Sequence, residues 1–125
     1  MKEMVKLILA SPEKMVKSSE QKGVIIPAFA GNLTITSGYS PSMVWLKNGI
    51  VQLLNNDMKV AEKFFIREGV ANIADDVCEI SAEKVIAKTE ITLQTAQEMA
   101  ETAVTEQDKE FYQVVIDELT GFPKD

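Results

Sequence analysis

Residues 61–80, AEKFFIREGVANIADDVCEI, carry the plainest fold signal in the chain. Three short apolar runs in this stretch are separated by two polar segments, Arg67-Glu68-Gly69 and Asp75-Asp76. Short runs rich in β-branched and aromatic residues, bounded by Gly and Asp, are typical of strands joined by tight turns. We therefore predict three antiparallel strands at 61–66, 70–74 and 77–80, with a hairpin at each polar segment.

The same pattern extends upstream to residue 5. Apolar residues alternate with polar ones, or come in short runs bounded by turn formers, at 5–9, 23–27, 33–35 and 50–54. Pro27 is expected to end its strand or to lie at a sheet edge, because proline has no N–H to donate. Strands that recur roughly every 8–12 residues indicate a sandwich or barrel. We predict an antiparallel β-sandwich of about nine or ten strands over residues 1–87.

After Thr89 the apolar spacing changes to three and four residues, which is typical of amphipathic helices. A first stripe comprises Leu93, Ala96, Ala100 and Ala103, with Met99 and Val104 beside them. A second stripe comprises Tyr112, Val115, Ile116, Leu119 and Phe122, followed by the stop signals Gly121 and Pro123. Between the stripes, Thr105-Glu106-Gln107-Asp108 has the form of a capping box, with Asp in place of Glu. We predict an antiparallel helical hairpin over residues 88–125, so the fold is mainly β with α.

The charge is unevenly spread along the chain. Residues 89–125 hold nine acidic and two basic side chains, a net charge of −7, so the remaining 88 residues carry +1 of the total of −6. An acidic segment repels phosphate backbones, and no basic stripe is recognised elsewhere, so nucleic-acid binding is not expected. No apolar run approaches the roughly 20 residues of a membrane helix, and residues 1–6 lack the apolar stretch of a signal peptide. Any membrane contact is therefore expected to come through a partner.

The composition argues against catalysis. The chain has no histidine and a single cysteine, which removes Ser-His and Cys-His nucleophile pairs and histidine-bearing zinc sites. Its six glycines are scattered, and no phosphate-binding loop is present. Cys78 lies in an alternating strand and is expected to be buried and inert, while Asp75-Asp76 is expected to be a polar turn rather than a metal site. We predict no catalytic residue, no metal site and no cofactor.

Two residues allow more than one interpretation. Arg67, the one arginine of the chain, could bind a carboxylate or phosphate, but a solvated hairpin residue beside Glu68 is the favoured interpretation. Trp45, which follows Pro41 and Met43, is as compatible with a buried core position as with an exposed subunit interface.

The sequence resembles the epsilon subunit of bacterial rotary ATP synthases over nearly its whole length. In that family a Gly-acidic-hydrophobic-Gly segment, a Pro-Gly-His-Ala-Pro segment and a Gly-bearing strand start follow one another. The corresponding segments here are 31–34 (GNLT), 37–41 (SGYSP) and 47–51 (KNGIV). Upstream, 9–13 (LASPE) matches the opening strand and turn of the family, and downstream 64–73 (FFIREGVANI) matches its Gly-Gly hairpin with one glycine kept.

The resemblance implies a non-catalytic rotor subunit at the foot of the central stalk, which couples proton-driven rotation of the c-ring to ATP synthesis. The partners it implies are the gamma subunit, the c-ring and, through the C-terminal helices, the catalytic beta subunit. By position, Ser11, Tyr39 and Val44 match gamma-facing places, and Asn32 lies on the turn that approaches the ring. The implied location is peripheral, on the cytoplasmic face of the bacterial inner membrane.

Several residues depart from the family pattern. Tyr39 replaces a histidine, Asn32 an acidic residue and Thr34 a glycine. Family members that bind ATP carry an Asp-x-x-Arg-Ala motif in the first C-terminal helix, but residues 89–96 read TEITLQTA. We therefore expect no ATP binding and, because the helices are acidic, weak or no inhibition of ATP hydrolysis.

Two alternatives stay open at this point. A stand-alone β-sandwich adaptor would share every compositional feature, because a fold does not determine a function. A small hydrolase would have to use a Ser-Lys or paired-carboxylate scheme in the absence of histidine. Association with gamma would distinguish the rotor subunit from an adaptor, and an activity screen would detect the hydrolase.

Overall fold

The computed structural model describes residues 3–121. It contains eight strands, which are β1 (Val5–Ala10), β2 (Met15–Gln21), β3 (Gly23–Ala28), β4 (Gly31–Ile35), β5 (Ser42–Leu46), β6 (Gly49–Leu54), β7 (Val60–Ala74) and β8 (Val77–Ala87). A 3₁₀ turn at Lys88–Glu90 then leads into helices α1 (Leu93–Thr102) and α2 (Glu106–Thr120). The predicted combination of a β-sandwich and a helical hairpin is confirmed, with fewer strands than expected.

Two long strands belong to both layers of the sandwich. The C-terminal half of β7 pairs with β5, and the N-terminal half of β7 pairs with β6. β8 pairs with the other edge of β7, from Ala74 opposite Val77 to Phe64 opposite Ala87. One layer therefore has the order β2-β1-β8-β7-β5, and the other contains β4, β3 and β6 beside the remaining halves of β7 and β8. The residues between the layers form the main core, including Leu7, Ile26 and Ile80, all fully buried.

The prediction of a hairpin at residues 67–69 is wrong. β7 continues through this segment, but its inward-facing residues change from Phe64 and Ile66 to Ala71 and Ile73, so the alternation shifts by one position. The shift occurs where Glu68 adopts a φ of 38° and donates its N–H to Asn48 Oδ1 at 3.0 Å. The sequence pattern resembles two strands because alternation breaks at a corner just as it breaks at a turn.

Gly69 is required at this corner by close approach. A Cβ at this position would lie 2.4 Å from the carbonyl oxygen of Ser81 on the neighbouring strand. β8 shifts its alternation at the same level, because its inward residues are Cys78, Ile80 and Ala82 above the corner and Val85 and Ala87 below it. The paired strands therefore bend together, and each contributes to both layers.

The sandwich is not purely antiparallel. β1 pairs with β2 in the antiparallel sense, but its other edge pairs with β8 in parallel, from Lys6 opposite Val77 to Ala10 opposite Ser81. β3 ends at Ala28, one residue after Pro27, so the expected strand end is off by one residue, and the alternative of an edge position is incorrect. Pro27 is buried inside β3, opposite Asn32 of β4, and its carbonyl accepts the N–H of Lys47 at 3.0 Å.

α2 begins and ends at the predicted cap and stop residues, whereas α1 ends at Thr102, before the last residues of the predicted first stripe. The hydroxyl of Thr105 accepts the N–H of Asp108 at 3.1 Å, and Gly121, with a φ of 80°, closes α2. The predicted second stripe omits Phe111 and Val114, which are also buried, and Phe122 and Pro123 lie outside the described residues. Val104 of the first stripe is 90% exposed, because it lies in the connection between the helices.

Candidate subunit interface

The sandwich has two outward surfaces, which differ in whether a helix covers them. The covered face consists of outward residues of β7 and β8 below the corner, with Lys88 of the 3₁₀ turn and Ile50 of β6. The strand residues are Lys63, Phe65, Arg67, Lys84 and Ile86. The open face consists of outward residues of the other layer, arranged in two rows that follow the strand register: Met15, Ala10, Ser81, Val70 and Trp45, and beside them Ser18, Ile8, Glu79, Asn72 and Met43.

The centre of the covered face is an apolar row on which α2 lies. Ile50, Phe65 and Ile86 are direct cross-strand neighbours on β6, β7 and β8. They form a second core cluster with α2 and Ala96 of α1, in which Phe65 and Phe111 are fully buried. Cross-strand apolar neighbours provide a continuous surface for a helix face. The hairpin is thus held to the sandwich by packing as well as by charge.

Two cationic pairs flank this row. Arg67 lies directly opposite Lys84, and Arg67 Nη1 and Lys84 Nζ are 3.5 and 3.2 Å from Asp108 Oδ1. At the other end, Lys63 Nζ and Lys88 Nζ donate to Glu118 Oε2 at 2.6 and 3.0 Å. We call these contacts the clasp.

The distance between the two carboxylates along α2 is similar to the distance between the two cationic pairs along the strands. Ten helical residues between Asp108 and Glu118 span about 15 Å. The four strand residues between Arg67 and Lys63 span about 13 Å. α2 therefore runs against the direction of β7, and one carboxylate meets one cationic pair at each end.

The clasp changes the ionisation of both carboxyl groups. Burial alone would raise the pKa of Glu118, but hydrogen bonds from Lys63 and Lys88 outweigh it and hold this pKa below its usual value. Burial also opposes ionisation of Asp108, and the neighbouring Lys84 and Arg67 charges lower its pKa despite this. Both acids are thus charged near neutral pH.

The clasp overturns two sequence-based predictions. Arg67 is not a solvated turn residue, because its side chain is only 21% exposed and contacts Asp108. The expectation that no basic stripe exists is also wrong, since four cations line the covered face. The signal was present in the alternating patterns Lys63-x-Phe65-x-Arg67 and Lys84-x-Ile86-x-Lys88, which place cations beside an apolar row on one side of each strand.

The open face carries three large apolar side chains that the described residues leave exposed. Trp45 and Met43, two residues apart on β5, are 67% and 65% exposed, and Met15 at the far end of the same rows is 61% exposed. Phe29, 68% exposed, follows Ala28, which pairs with Leu46 at the end of β5. Exposed Trp and Met side chains are enriched at protein–protein interfaces, and Trp45 and Met43 lie beside each other on the same side of β5. A core position for Trp45 is therefore excluded.

The predicted partner-binding residues are not brought together in one patch. Ser11 lies in the β1–β2 turn, next to Ala10 of the open face, and its N–H donates to the carbonyl of Lys14. Tyr39 and Val44 are half-buried and pack against the main core. Asn32 is exposed on β4, beside the turn that carries Phe29. The outward neighbours of Val44 are Met43 and Trp45, for which the sequence left core and interface positions equally open, and the structure places both on the exposed side of β5.

The residues considered for chemistry are structural. Asp75 and Asp76, with φ of 53° and 62°, form the β7–β8 turn as predicted, and within residues 3–121 no group of three potential metal ligands is found. Cys78 is fully buried, and burial raises the pKa of its thiol to about 12, so the expectation of an inert cysteine is confirmed.

The fold and the helix-covered face define the molecule as a β-sandwich protein that carries a docked C-terminal helical hairpin. Residues 4–88 match the family described as ATP synthase, Delta/Epsilon chain, beta-sandwich domain, and the chain belongs to this family. It is 29% identical over 93 residues to the ATP synthase epsilon chain of Gluconacetobacter diazotrophicus, which covers 74% of this chain and 65% of that protein. The corresponding protein of Granulibacter bethesdensis is 31% identical over 103 residues, 82% of this chain and 67% of that protein.

The chain spans only about 56% to 65% of the length of the first three curated relatives. The fold also occurs in solved assemblies. A chain in the Euglena gracilis mitochondrial ATP synthase (OSCP/F1/c-ring) matches with a TM-score of 0.64 and 17% identity, over 91% of this chain and 76% of that chain. A chain in the central stalk/c-ring structure of the Tetrahymena thermophila enzyme matches with a TM-score of 0.60 and 17% identity, over 94% of each chain. In the described part of this chain, no helix has the length and apolar character needed to cross a membrane.

Proposed function

We propose that this chain is the non-catalytic epsilon subunit in the central stalk of a bacterial ATP synthase. In this role it rotates with the gamma subunit and couples proton-driven rotation of the c-ring to ATP synthesis in the catalytic head. Family membership supports the proposal, as do the names of the curated relatives. The proposed location is peripheral, on the cytoplasmic face of the inner membrane, where the chain is held by its partners.

The observation that carries the proposal is the open face. It crosses five hydrogen-bonded strands, a width of about 19 Å at the usual strand spacing. Because every strand along its rows is paired to the next, the surface resists bending, and a resistant surface is suited to transmit rotation. We propose that gamma binds here, with Trp45 and Met43, at the β5 end of the open face, as the main apolar contacts.

The residues suggested by the resemblance take more specific roles in this proposal. Ser11 lies at the rim of the open face and contacts gamma there. Tyr39 and Val44 act mainly by supporting the neighbouring surface, since both pack against the main core. Asn32, with the exposed Phe29 beside it, faces the c-ring.

The experiment is a binding measurement between the full chain and purified gamma. Trp45→Ser combined with Met43→Ser is expected to weaken binding by about 30-fold or more, because the two largest apolar contacts proposed at the β5 end of the open face are lost. Val104→Ser is the matched control, since this residue is equally apolar and 90% exposed but lies on the hairpin. Unchanged affinity of the double variant would refute the proposed interface, and no binding of the unmodified chain would refute the proposed function.

We further propose that the hairpin has little regulatory effect. The four cations that approach α2 are engaged with Asp108 and Glu118, which leaves an acidic outer surface unsuited to ATP or to an acidic stretch of the beta subunit. Deletion of residues 89–125 is expected to leave ATP hydrolysis by the assembled complex nearly unchanged. The deletion variant should also carry Phe65→Ser, because removal of α2 uncovers this residue. A several-fold rise in hydrolysis, or a clear calorimetric titration of the chain with ATP, would contradict this part of the proposal.

A further inference from the structure

The segment between β4 and β5 carries the chain from one layer of the sandwich to the other, directly before the open face begins. It includes a tight turn in which the N–H of Tyr39 donates to the carbonyl of Thr36 at 3.2 Å. Gly38, the third residue of this turn, has a φ of 85°, which L side chains rarely adopt. The turn is short, Gly38 is exposed, and one backbone hydrogen bond closes it, so this bond alone holds the turn weakly.

Asp76, in the β7–β8 turn, accepts two further hydrogen bonds that hold the turn at residues 36–39. Its Oδ1 accepts the N–H of Gly38 at 2.8 Å, and its Oδ2 accepts the hydroxyl of Ser37 at 3.0 Å. Its carbonyl oxygen also accepts the N–H of Lys6 at 2.8 Å, at the start of β1. One residue therefore joins three segments that are far apart in sequence, and its carboxylate is bound on both oxygens.

The hydrogen bonds from Gly38 and Ser37 to Asp76 lie just before β5 in the sequence, so they can affect how β5 is positioned. Ser42, four residues after Gly38, begins β5, whose outward residues Met43 and Trp45 form one end of the open face. Tyr39, the next residue after Gly38, packs against the main core. A turn that is held in place at Gly38 therefore holds the side chain of Tyr39 against the core. It also holds the backbone that leads into β5. Binding to a rigid surface is stronger than binding to one that must be ordered first.

We infer that Asp76 is a positioning residue for partner binding, which holds the segment 36–41 so that β5 presents Met43 and Trp45 in a fixed arrangement. This inference rests on the proposed function, since it takes the open face as the binding surface for gamma. Asp76 itself need not contact the partner. The two hydrogen bonds that its carboxylate accepts position residues 36–41.

The turn offers a pair of variants that separate this role from hairpin stability. Asp76→Gly removes the carboxylate but keeps the positive φ, and it creates the Asp-Gly sequence that two-residue turns of this type favour. Asp75→Gly makes the same backbone change one residue earlier, at a side chain that forms no hydrogen bond with the described residues, and it serves as the matched control. Asp76→Asn is a conservative rescue, because its side-chain oxygen can still accept the N–H of Gly38.

Two quantities should be measured in the full chain: amide hydrogen exchange at Gly38 and the affinity for purified gamma. We expect Asp76→Gly to speed exchange at Gly38 by about 10-fold or more and to weaken gamma binding by about 10-fold, because a hydrogen bond to a charged group is lost. Asp75→Gly is expected to stay within about twofold of the unmodified chain in both, and Asp76→Asn to recover most of the affinity.

The outcomes distinguish the inference from the function on which it rests. Equal gamma affinity of Asp76→Gly and Asp75→Gly, with normal binding by the unmodified chain, would overturn the inference and leave the proposed function intact. Unchanged exchange at Gly38 in Asp76→Gly would also overturn it. Failure of the unmodified chain to bind gamma would instead refute the proposed function, whatever the exchange result.

Discussion

The covered face and the open face share the strands β7 and β8, yet only the covered face is buried beneath a helix. Below the corner at Gly69, β7 directs Phe65 outward between two cations, and α2 covers it. Above the corner, the same strand directs Val70 outward next to Trp45, which stays 67% exposed. The comparison teaches that an outward aromatic residue does not by itself indicate an intramolecular or an intermolecular contact. The flanking charges and their complement elsewhere in the chain decide between them.

The largest expected effect tests this difference directly. Phe65→Ala should lower the free energy of unfolding by about 3–5 kcal/mol, because it opens a cavity under α2. Trp45→Ala should change it by less than about 0.5 kcal/mol, because the side chain contacts mainly solvent. Urea unfolding followed by circular dichroism measures both. Similar losses for the two variants would show that the open face is not a free surface.

The corner that separates the faces should be the next most sensitive position. Gly69→Ala is expected to cost about 1–3 kcal/mol, since a Cβ would press on the carbonyl of Ser81 and force the paired strands apart. Val70→Ala, the adjacent outward residue, controls for a general effect of substitution on β7. Thermal unfolding of the two variants is the measurement, and a Gly69→Ala protein as stable as the control would contradict the close approach.

The clasp should contribute less, and its contribution should depend on pH. Glu118→Gln is expected to lower the free energy of unfolding by about 1 kcal/mol at pH 7, because partly exposed ion pairs contribute little. The pKa of Glu118 is lower in the folded protein than in the unfolded chain, so protonation favours unfolding. The unmodified protein therefore has a higher free energy of unfolding than Glu118→Gln at pH values above the ordinary glutamate pKa. This difference disappears as the pH falls through the lowered pKa that Glu118 has in the folded protein.

Glu98→Gln on α1 is the control for the clasp, since Glu98 is exposed and forms no ion pair with the described residues. Its free energy of unfolding should follow that of the unmodified protein at every pH. Urea unfolding between pH 7 and pH 3 compares the three proteins. A constant difference between Glu118→Gln and the unmodified chain over this range would show that ionisation of Glu118 does not hold the helix.

Much of the fold could be predicted because local patterns determine it. The alternation in 70–74 and 77–80, the turn at Asp75-Asp76 and the cap at Thr105 each depend on neighbours in sequence, and the structure has all of them. The corner at Gly69 could not be told from a hairpin in this way. Whether a chain turns back or bends onward depends on the strands beside it, and those are set by distant contacts such as that of Glu68 with Asn48.

The candidate interface was only partly predictable for the same reason. The resemblance led to Val44, but the pleat turns Val44 toward the core and its neighbours Met43 and Trp45 toward solvent. A shift of one residue reverses the face of every side chain in a strand. The open face also contains residues from β1, β7 and β8, and only the register between strands places them in common rows.

The parallel pairing of β1 with β8 has a consequence for how the chain folds as it leaves the ribosome. Residues 6–10 obtain their second set of backbone partners only when residues 77–81 have been made. Until then, a hairpin of β1 and β2 would have an unpaired edge, and Val5, Leu7 and Leu9, which are fully buried in the folded protein, would be exposed. Contacts between residues so far apart in sequence slow folding. β1 therefore completes its backbone pairing only after β8 has been synthesised.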